Sequence, residues 1–472
     1  MAPARVLFVY ILLTSQLASS SEWTRFRGPN GTGVTDTEAL PLHFGPEENV
    51  VWKTALPPGH SSPILTEERI FLTAFENETL YTYSVDRATG EILWRRAAPQ
   101  VAIVHVDDRN NAASPSPVVD EASVYVFFPD FGLLAYDFAG NELWQYPVDN
   151  FDNIYGMGAS PILAGDNVVL VCDQSTHSYI VALERSSGEI AWRQDRPEAK
   201  SGHSTPVLYE GGDGEVQIIV AGSFLLTSYA ATTGQKLWWV SGLSFEMKST
   251  PVLDGDMVFI NGYGAPENQP GREVEAVDFD AALRGDDNGD GRLSSDELQG
   301  HVRSWFGFVD LDSDGTLDRA EWDFYLAALA SRNGILGIRV GGEGDMTEQN
   351  VVWTYGKRVP QLPSPLLYED VLYMVNDGGI VTLLEPGTGK VVAQGRLKGA
   401  VDSYYASPVA ADEKIFMASE LGKVAVLSPG SGLDVVAVND LDDLIYATPA
   451  IADGRLYIRT RNTLYCFGKE SD

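Results

Sequence analysis

Two twelve-residue stretches carry oxygen donors at the spacing a hard divalent cation requires. The first places Asp286, Asn288 and Asp290 at positions 1, 3 and 5, Gly291 at 6, Arg292 at 7, Ser294 at 9 and Glu297 at 12. Alternate positions bring three side-chain oxygens to one centre, and the glycine permits the sharp turn. Position 7 offers its backbone carbonyl, position 9 can hold a water, and the final glutamate can chelate with both oxygens. The second stretch repeats the pattern with Asp310, Asp312, Asp314, Gly315, Thr316, Asp318 and Glu321. One match could be an Asp/Gly-rich surface turn. Two complete matches in one segment point to a pair of EF-hand loops holding two calcium ions.

Only Leu298 to Val309 separates the loops, enough for one helix of about 18 Å. The helix leaving the first loop is therefore expected to enter the second, with Glu275–Leu283 and Trp322–Ala330 as outer helices. Trp305, Phe306, Phe308, Trp322, Phe324 and Tyr325 supply a small core. The compact pair of dockerin modules resembles this spacing more closely than a calmodulin-like pair does. Exported proteins meet calcium at constant, high levels, so the ions are expected to staple the segment rather than sense calcium. A switch, or a calcium-dependent docking surface, is the alternative.

Export follows from the first twenty residues. Arg5 precedes an apolar run from Val6 to Leu13, and Ala18-Ser19-Ser20 offers small residues for cleavage near Ser20. That run is too short to span a bilayer, and no later segment looks transmembrane, so a secreted or periplasmic protein is expected. Lys+Arg 33 against Asp+Glu 66 gives a net charge of −33, which disfavours nucleic acid and anionic membrane surfaces as partners. Cys172 and Cys466 each sit in an apolar strand-like run. They read as buried free thiols rather than a disulfide framework.

The remaining chain is repetitive. A Ser/Thr-Pro dipeptide recurs with prolines at 63, 117, 161, 206, 251, 365, 408 and 449, spaced 54, 44, 45, 45, 114, 43 and 41 residues apart. After each comes an alternating β-rich run such as Val124-Tyr125-Val126-Phe127, then a second run, a glycine turn and usually a tryptophan strand (Trp94, Trp144, Trp192, Trp238, Trp353). Four short strands per 40–45 residues is the period of a β-propeller blade. The last unit, Tyr446 to Phe467, lacks its tryptophan strand, which Asn49–Lys53 can supply from the other end of the chain. The expected fold is all-β: an eight-bladed propeller with a small α-helical EF-hand insert in blade five. Blades one to five occupy 21–264, with the closing strand near 49–54. The insert occupies 265–350, its loop pair falling within about 275–332, and 351–472 completes blades five to eight.

Asp86-Arg87-Ala88-Thr89-Gly90-Glu91-Ile92-Leu93-Trp94 resembles the docking motif of quinoprotein-type, PQQ-like propellers, with variants at Gly188–Trp192 and Gly234–Trp238. The opening Trp23-Thr24-Arg25-Phe26-Arg27-Gly28-Pro29-Asn30-Gly31-Thr32-Gly33 is similar to the start of exported PQQ-like propellers of planctomycete-type bacteria. For the dehydrogenases among them, the resemblance implies PQQ on the propeller axis, under a ring of adjacent cysteines and beside a calcium. This chain has no adjacent cysteine pair, which counts against PQQ and against a quinoprotein-type oxidoreductase.

Three residues before the repeat prolines stand His60, Ser114, Gly158, His203, Lys248, Leu362, Tyr405 and Tyr446. If the repeats are equivalent, these positions ring the channel mouth. His60, His203, Lys248, Tyr404, Tyr405 and Tyr446 are the candidate ligand-binding residues there, for a small molecule, a glycan or a protein. No catalytic residue set is recognisable. A monomeric, calcium-binding, non-catalytic binding or scaffold protein is the leading expectation. The alternatives are a PQQ-dependent dehydrogenase and a glycan-binding or glycan-processing protein.

Overall fold

Each Ser/Thr-Pro dipeptide leads directly into the innermost strand of an antiparallel sheet, and eight such sheets form an eight-bladed β-propeller. The computed structural model describes residues 23–469 except 105–106, 108, 150, 154, 213, 270 and 273. The export signal expected over residues 1–20 lies outside the described residues. Blade one shows the pattern: Ile64–Leu65, Arg69–Glu76, Thr79–Asp86 and Ile92–Ala97, hydrogen-bonded in that order.

The ring closes as the sequence suggests. Val50–Ala55 pairs antiparallel with Thr463–Phe467, so the last blade joins both ends of the chain. Trp52 of this strand then docks on blade one. Its Nε1 donates to the Arg87 carbonyl at 3.0 Å, and its ring covers Gly90. Gly90 has φ +78°, and a Cβ there would lie 2.5 Å from the Trp52 ring. Glycine is therefore required twice over, by backbone and by contact. Trp94, Trp144, Trp192 and Trp353 repeat the arrangement on Gly140, Gly188, Gly234 and Gly389.

Trp238 is the exception. It donates to Gln217 in its own blade. A two-residue strand, Gly344–Asp345, pairs in parallel beside it instead.

The inner-strand dipeptides explain their own conservation along the repeat. The Ser62 backbone amide donates to the Ser116 hydroxyl, Ser116 to Ser160, and Ser160 to Thr205, each at 2.9–3.0 Å. The same bond links Thr250 to Ser364, Ser364 to Ser407 and Ser407 to Thr448. A hydroxyl at this position thus satisfies a buried amide of the preceding blade.

The runs expected to alternate do not. In Ser123–Phe128 every residue after the first is buried, because each blade packs between two neighbours and both faces of its middle strands are covered. Cys172 and Cys466 lie in two such strands, free and buried, and burial pushes their thiols up to about 12 and about 11.

The insert is narrower than expected. It leaves blade five after Met257–Gly262 and returns at Gly334–Arg339, the blade's third strand, so it spans 263–333 rather than 265–350. Gly334–Arg339 carries no tryptophan or turn motif to mark it as part of the repeat. Asn333 closes the neck, accepting from the Gly264 amide at 2.7 Å and donating to the Ala265 carbonyl at 2.8 Å.

Candidate functional site

Among its described residues the insert contains four α-helices: α1 (Phe279–Ala282), α2 (His301–Ser304), α3 (Phe306–Val309) and α4 (Arg319–Ala330). The single helix expected between the loops is broken at Trp305 into α2 and α3. The two loops face each other. Leu293 pairs with Leu317 and Ser294 with Thr316 in a two-residue antiparallel ladder, position 8 opposite position 8.

Within the first loop, Asp286 accepts from the amides of Gly289 and Gly291 at 2.7 and 2.9 Å, and Asn288 from Asp290 at 2.8 Å. Asp290 accepts from the Arg292 amide at 2.8 Å. Glu297 turns back over the loop, accepting from the Asp287 and Ser294 amides at 3.1 and 2.8 Å.

In the second loop the carboxylate oxygens of Asp310, Asp312 and Asp314 converge within 4.8 Å of one another. Glu321 is 6% exposed, accepts from the Leu311 and Asp318 amides at 2.7 and 2.9 Å, and forms a capping box with Asp318 at the start of α4. Burial raises the Glu321 carboxyl above its ordinary value. The Arg292 side chain crosses from the first loop to the Asp314 carboxylate and the Thr316 hydroxyl.

The aromatic residues of this segment divide between two cores. Trp322 and Tyr325 pack inside the insert with Phe279, Leu293, Leu298 and Val309. Phe324 instead joins Phe308 against Phe245 of the propeller. The Phe245 ring meets Phe308 edge-on at 4.6 Å and Phe324 at 5.1 Å. Within the insert, the Asn268 amide donates to the Ala328 and Ser331 carbonyls at the end of α4 at 2.7 and 2.8 Å, while the Phe245 contacts reach the propeller. The insert is thereby fixed to the rim of blades four and five.

That rim surrounds a cavity of ≈ 610 Å³ on the propeller axis. All eight residues placed three before the repeat prolines line it: His60, Ser114, Gly158, His203, Lys248, Leu362, Tyr405 and Tyr446. Tyr404 does not belong with them. It is 2% exposed, packs in the core of blades six and seven, and its hydroxyl donates to the Ala400 carbonyl at 2.7 Å. Successive side chains of an extended segment point to opposite sides, so only Tyr405 of the pair can face the axis.

His60 stacks on Tyr446 with ring centroids 4.3 Å apart, and Tyr405 meets Tyr446 edge-on at 5.3 Å. Burial, reinforced by Arg459 and Arg461, holds the His60 imidazole down to about 3. Burial and Lys248 hold His203 to about 4. Both rings are neutral near pH 7.

Several lining residues escaped the sequence reading. Asp107 and Arg109 come from the longest ordinary gap of the repeat, 54 residues against 45 at most for the others, and that surplus was the available signal. They form a bidentate ion pair at 2.7 Å, and the Arg109 hydrogen bond holds the Asp107 carboxyl down to about 2. Glu246 pairs with Lys248 at 2.6 Å, the two side chains 8% and 10% exposed. Trp305 and Phe308 of the insert line the cavity on one side, and Phe26 also lines it.

Phe26 belongs to the opening tryptophan-arginine segment, whose role no local pattern revealed. The segment crosses the axis. Trp23 accepts from Leu65 in blade one, Arg25 donates to the Pro206 carbonyl in blade four, and Arg27 to Pro365 in blade six. Gly33 pairs with Ala410 in blade seven. Burial without an acidic partner lowers Arg25 to about 10 and Arg27 to about 9.

The family described as outer membrane protein assembly factor BamB matches residues 46–178 and 176–472. The chain belongs to that family. Among solved structures, BamB from Moraxella catarrhalis is similar with TM-score 0.54 and 12% identity, covering 89% of this chain and 99% of that one. Quinohemoprotein alcohol dehydrogenase from Comamonas testosteroni is similar with TM-score 0.59 and 11% identity, over 96% of this chain and 81% of that one. A europium-containing methanol dehydrogenase reaches TM-score 0.57 at 10% identity, over 95% and 98%. No curated protein matches at the sequence level. The same fold thus occurs in an outer membrane assembly factor and in alcohol and methanol dehydrogenases, and the fold alone does not choose between such roles. Among the described residues, no helix is long and apolar enough to cross a membrane.

Proposed function

We propose that this chain is an exported, calcium-binding PQQ-like propeller that binds a ligand or partner at its axial cavity and performs no redox step. One observation carries the non-catalytic reading: both acidic side chains lining the cavity are already committed to cations, Asp107 to Arg109 and Glu246 to Lys248. The cofactor arrangement that the dehydrogenase likeness implies places adjacent cysteines over the quinone and free carboxylates around a calcium beside it. Here the cysteines lie in the cores of blades three and eight, and freeing Glu246 would strand the buried Lys248 in the cavity wall. The residues present do not fit PQQ.

The calcium reading rests on the two loops, whose ligand residues Asp286, Asn288, Asp290, Arg292, Glu297, Asp310, Asp312, Asp314, Thr316 and Glu321 all lie in the two facing loops of the paired ladder. In this reading the ions hold α2, α3 and α4 rigid against the rim. Export rests on the N-terminal charge and hydropathy pattern, and fits an acidic, disulfide-free chain.

The test is incubation of purified protein with PQQ and calcium, followed by desalting, absorption spectroscopy and dye reduction with alcohols. No retained chromophore and no dye reduction are expected. A retained quinone that supports dye reduction overturns the reading.

A further inference from the structure

The charged groups facing the cavity cancel. Asp107 with Arg109 and Glu246 with Lys248 leave no net charge on its wall, in a chain whose formal charge is −33. The other polar side chains lining the cavity are of a different kind. Nε2 of His203 is buried without a partner among the described residues, and the side chains of His60, Tyr155, Tyr405 and Gln361 line the cavity beside it. Each is uncharged and, apart from tautomer choice, able to donate or accept. An ionic ligand would have to break the Glu246–Lys248 pair and leave its partner uncompensated in a largely buried position. A neutral ligand rich in hydroxyls would not.

The apolar part of the wall has a matching geometry. Tyr405, Tyr446 and His60 come from blades seven, eight and one, while Trp305 and Phe308 stand over blades four and five, seated on Phe245. In an eight-bladed ring these two aromatic groups lie across the axis from each other. Two facing aromatic walls with neutral hydrogen-bonding groups between them suit a flat molecule with apolar faces and a hydroxyl rim. A pyranose has that shape: its C–H faces pack on aromatic rings while its hydroxyls donate and accept in the ring plane. A volume of ≈ 610 Å³ falls within the range of small-molecule sites.

We propose that the axial cavity binds uncharged saccharides, held between the Tyr405–Tyr446–His60 wall and the Trp305–Phe308 wall. This rests on reading the cavity as a ligand site. Lys248 and Arg109 orient the wall through their carboxylate partners and do not counter a ligand charge.

The full exported chain, with calcium present, is screened on an array of neutral, acidic and amino glycans, and the neutral hits are measured by calorimetry. Neutral glycans are expected to bind, with acidic forms of the same backbone at least about tenfold weaker, and Tyr446→Ala and Trp305→Ala to weaken binding by about tenfold or more. Circular dichroism melts establish that each variant is folded, and Tyr405→Ala, on the same wall, replaces any variant that is not. Binding of acidic glycans only, binding of no glycan, capture of a peptide ligand alone, or hits unaffected by the wall variants overturns the saccharide assignment. None of those results restores a redox role. A retained PQQ chromophore in the separate assay would, so the two failures are distinguishable.

Discussion

His60 and Tyr446 lie stacked across the seam where the ring closes, with planes 22° apart. His60 precedes blade one and Tyr446 precedes blade eight, so the first and last blades must be in register for this wall to exist. That register depends on Trp52 resting on Gly90. Gly90→Val is therefore expected to destabilise the protein by at least about 2–3 kcal/mol, through a non-glycine φ of +78° and a clash with the Trp52 ring. Trp52→Ala should act in the same direction. Urea denaturation measures both, and an unchanged midpoint for Gly90→Val would show that the seam carries little stability.

A second prediction concerns a fully buried ion pair. Arg196 donates to Asp173 through Nε and Nη2 at 2.7 and 2.9 Å and to the Tyr229 hydroxyl at 2.8 Å, joining blades three and four. The two side chains are 2% and 0% exposed. Asp173→Asn leaves the guanidinium buried without a counter-charge, and a loss of about 3–5 kcal/mol is expected. Gly222→Ala should also destabilise, because its Cβ would lie 2.5 Å from Arg196 Nη2. Thermal melts of both variants check this.

Acid sensitivity should trace in part to the cavity histidines. Their folded values, about 3 for His60 and about 4 for His203, lie below the ordinary 6.5. The unfolded chain therefore binds more protons than the folded one between those values, and stability falls as pH drops below about 6.5. Each histidine contributes a slope of at most about 1.4 kcal/mol per pH unit in that window. The double variant His60→Phe with His203→Gln should show a shallower fall in melting temperature between pH 7 and pH 4.5 than the parent chain. Parallel profiles would place the acid sensitivity elsewhere.

Calcium is expected to bind at two sites, and Glu297→Gln combined with Glu321→Gln to abolish both by calorimetry. Chelation should lower the melting temperature and alter tryptophan fluorescence, since Trp305 lies at the break between α2 and α3 and Trp322 in the insert core. The Arg292 side chain meets Asp314, a ligand residue of the other loop. Arg292→Ala should therefore tighten binding at the second loop severalfold. Calcium binding unchanged in the double glutamine variant would remove the EF-hand assignment.

The ring, its closing strand and most of its rim were legible because one structural position recurs eight times. Ser62-Pro63 and its copies mark the same strand start in every blade and the same amide donor in six of them, so counting back three residues reaches the axis each time. The misses are of another kind. Tyr404 beside Tyr405 is a question of which way one side chain turns, and no repeat fixes that. Gly334–Arg339 could not be recognised as a blade strand because the insert separates it from its partner Met257–Gly262 by a long excursion. The opening segment makes its bonds to carbonyls at Pro206 and Pro365, contacts so distant in sequence that no local pattern announces them. The seat of the insert on Phe245 is equally non-local: a lone phenylalanine between two blades carries no mark of what covers it.

Phe26, carried by the segment that crosses the axis, gives the cavity a floor, and this decides how anything can use it. A ring with both ends open would let a long chain thread through. A blind well admits only what fits past one mouth, and its contents must leave by the route they came. A polymer could therefore present a terminus but never its middle. The pace of exchange would fall to the one wall that is not part of the ring, the face carrying Trp305 and Phe308.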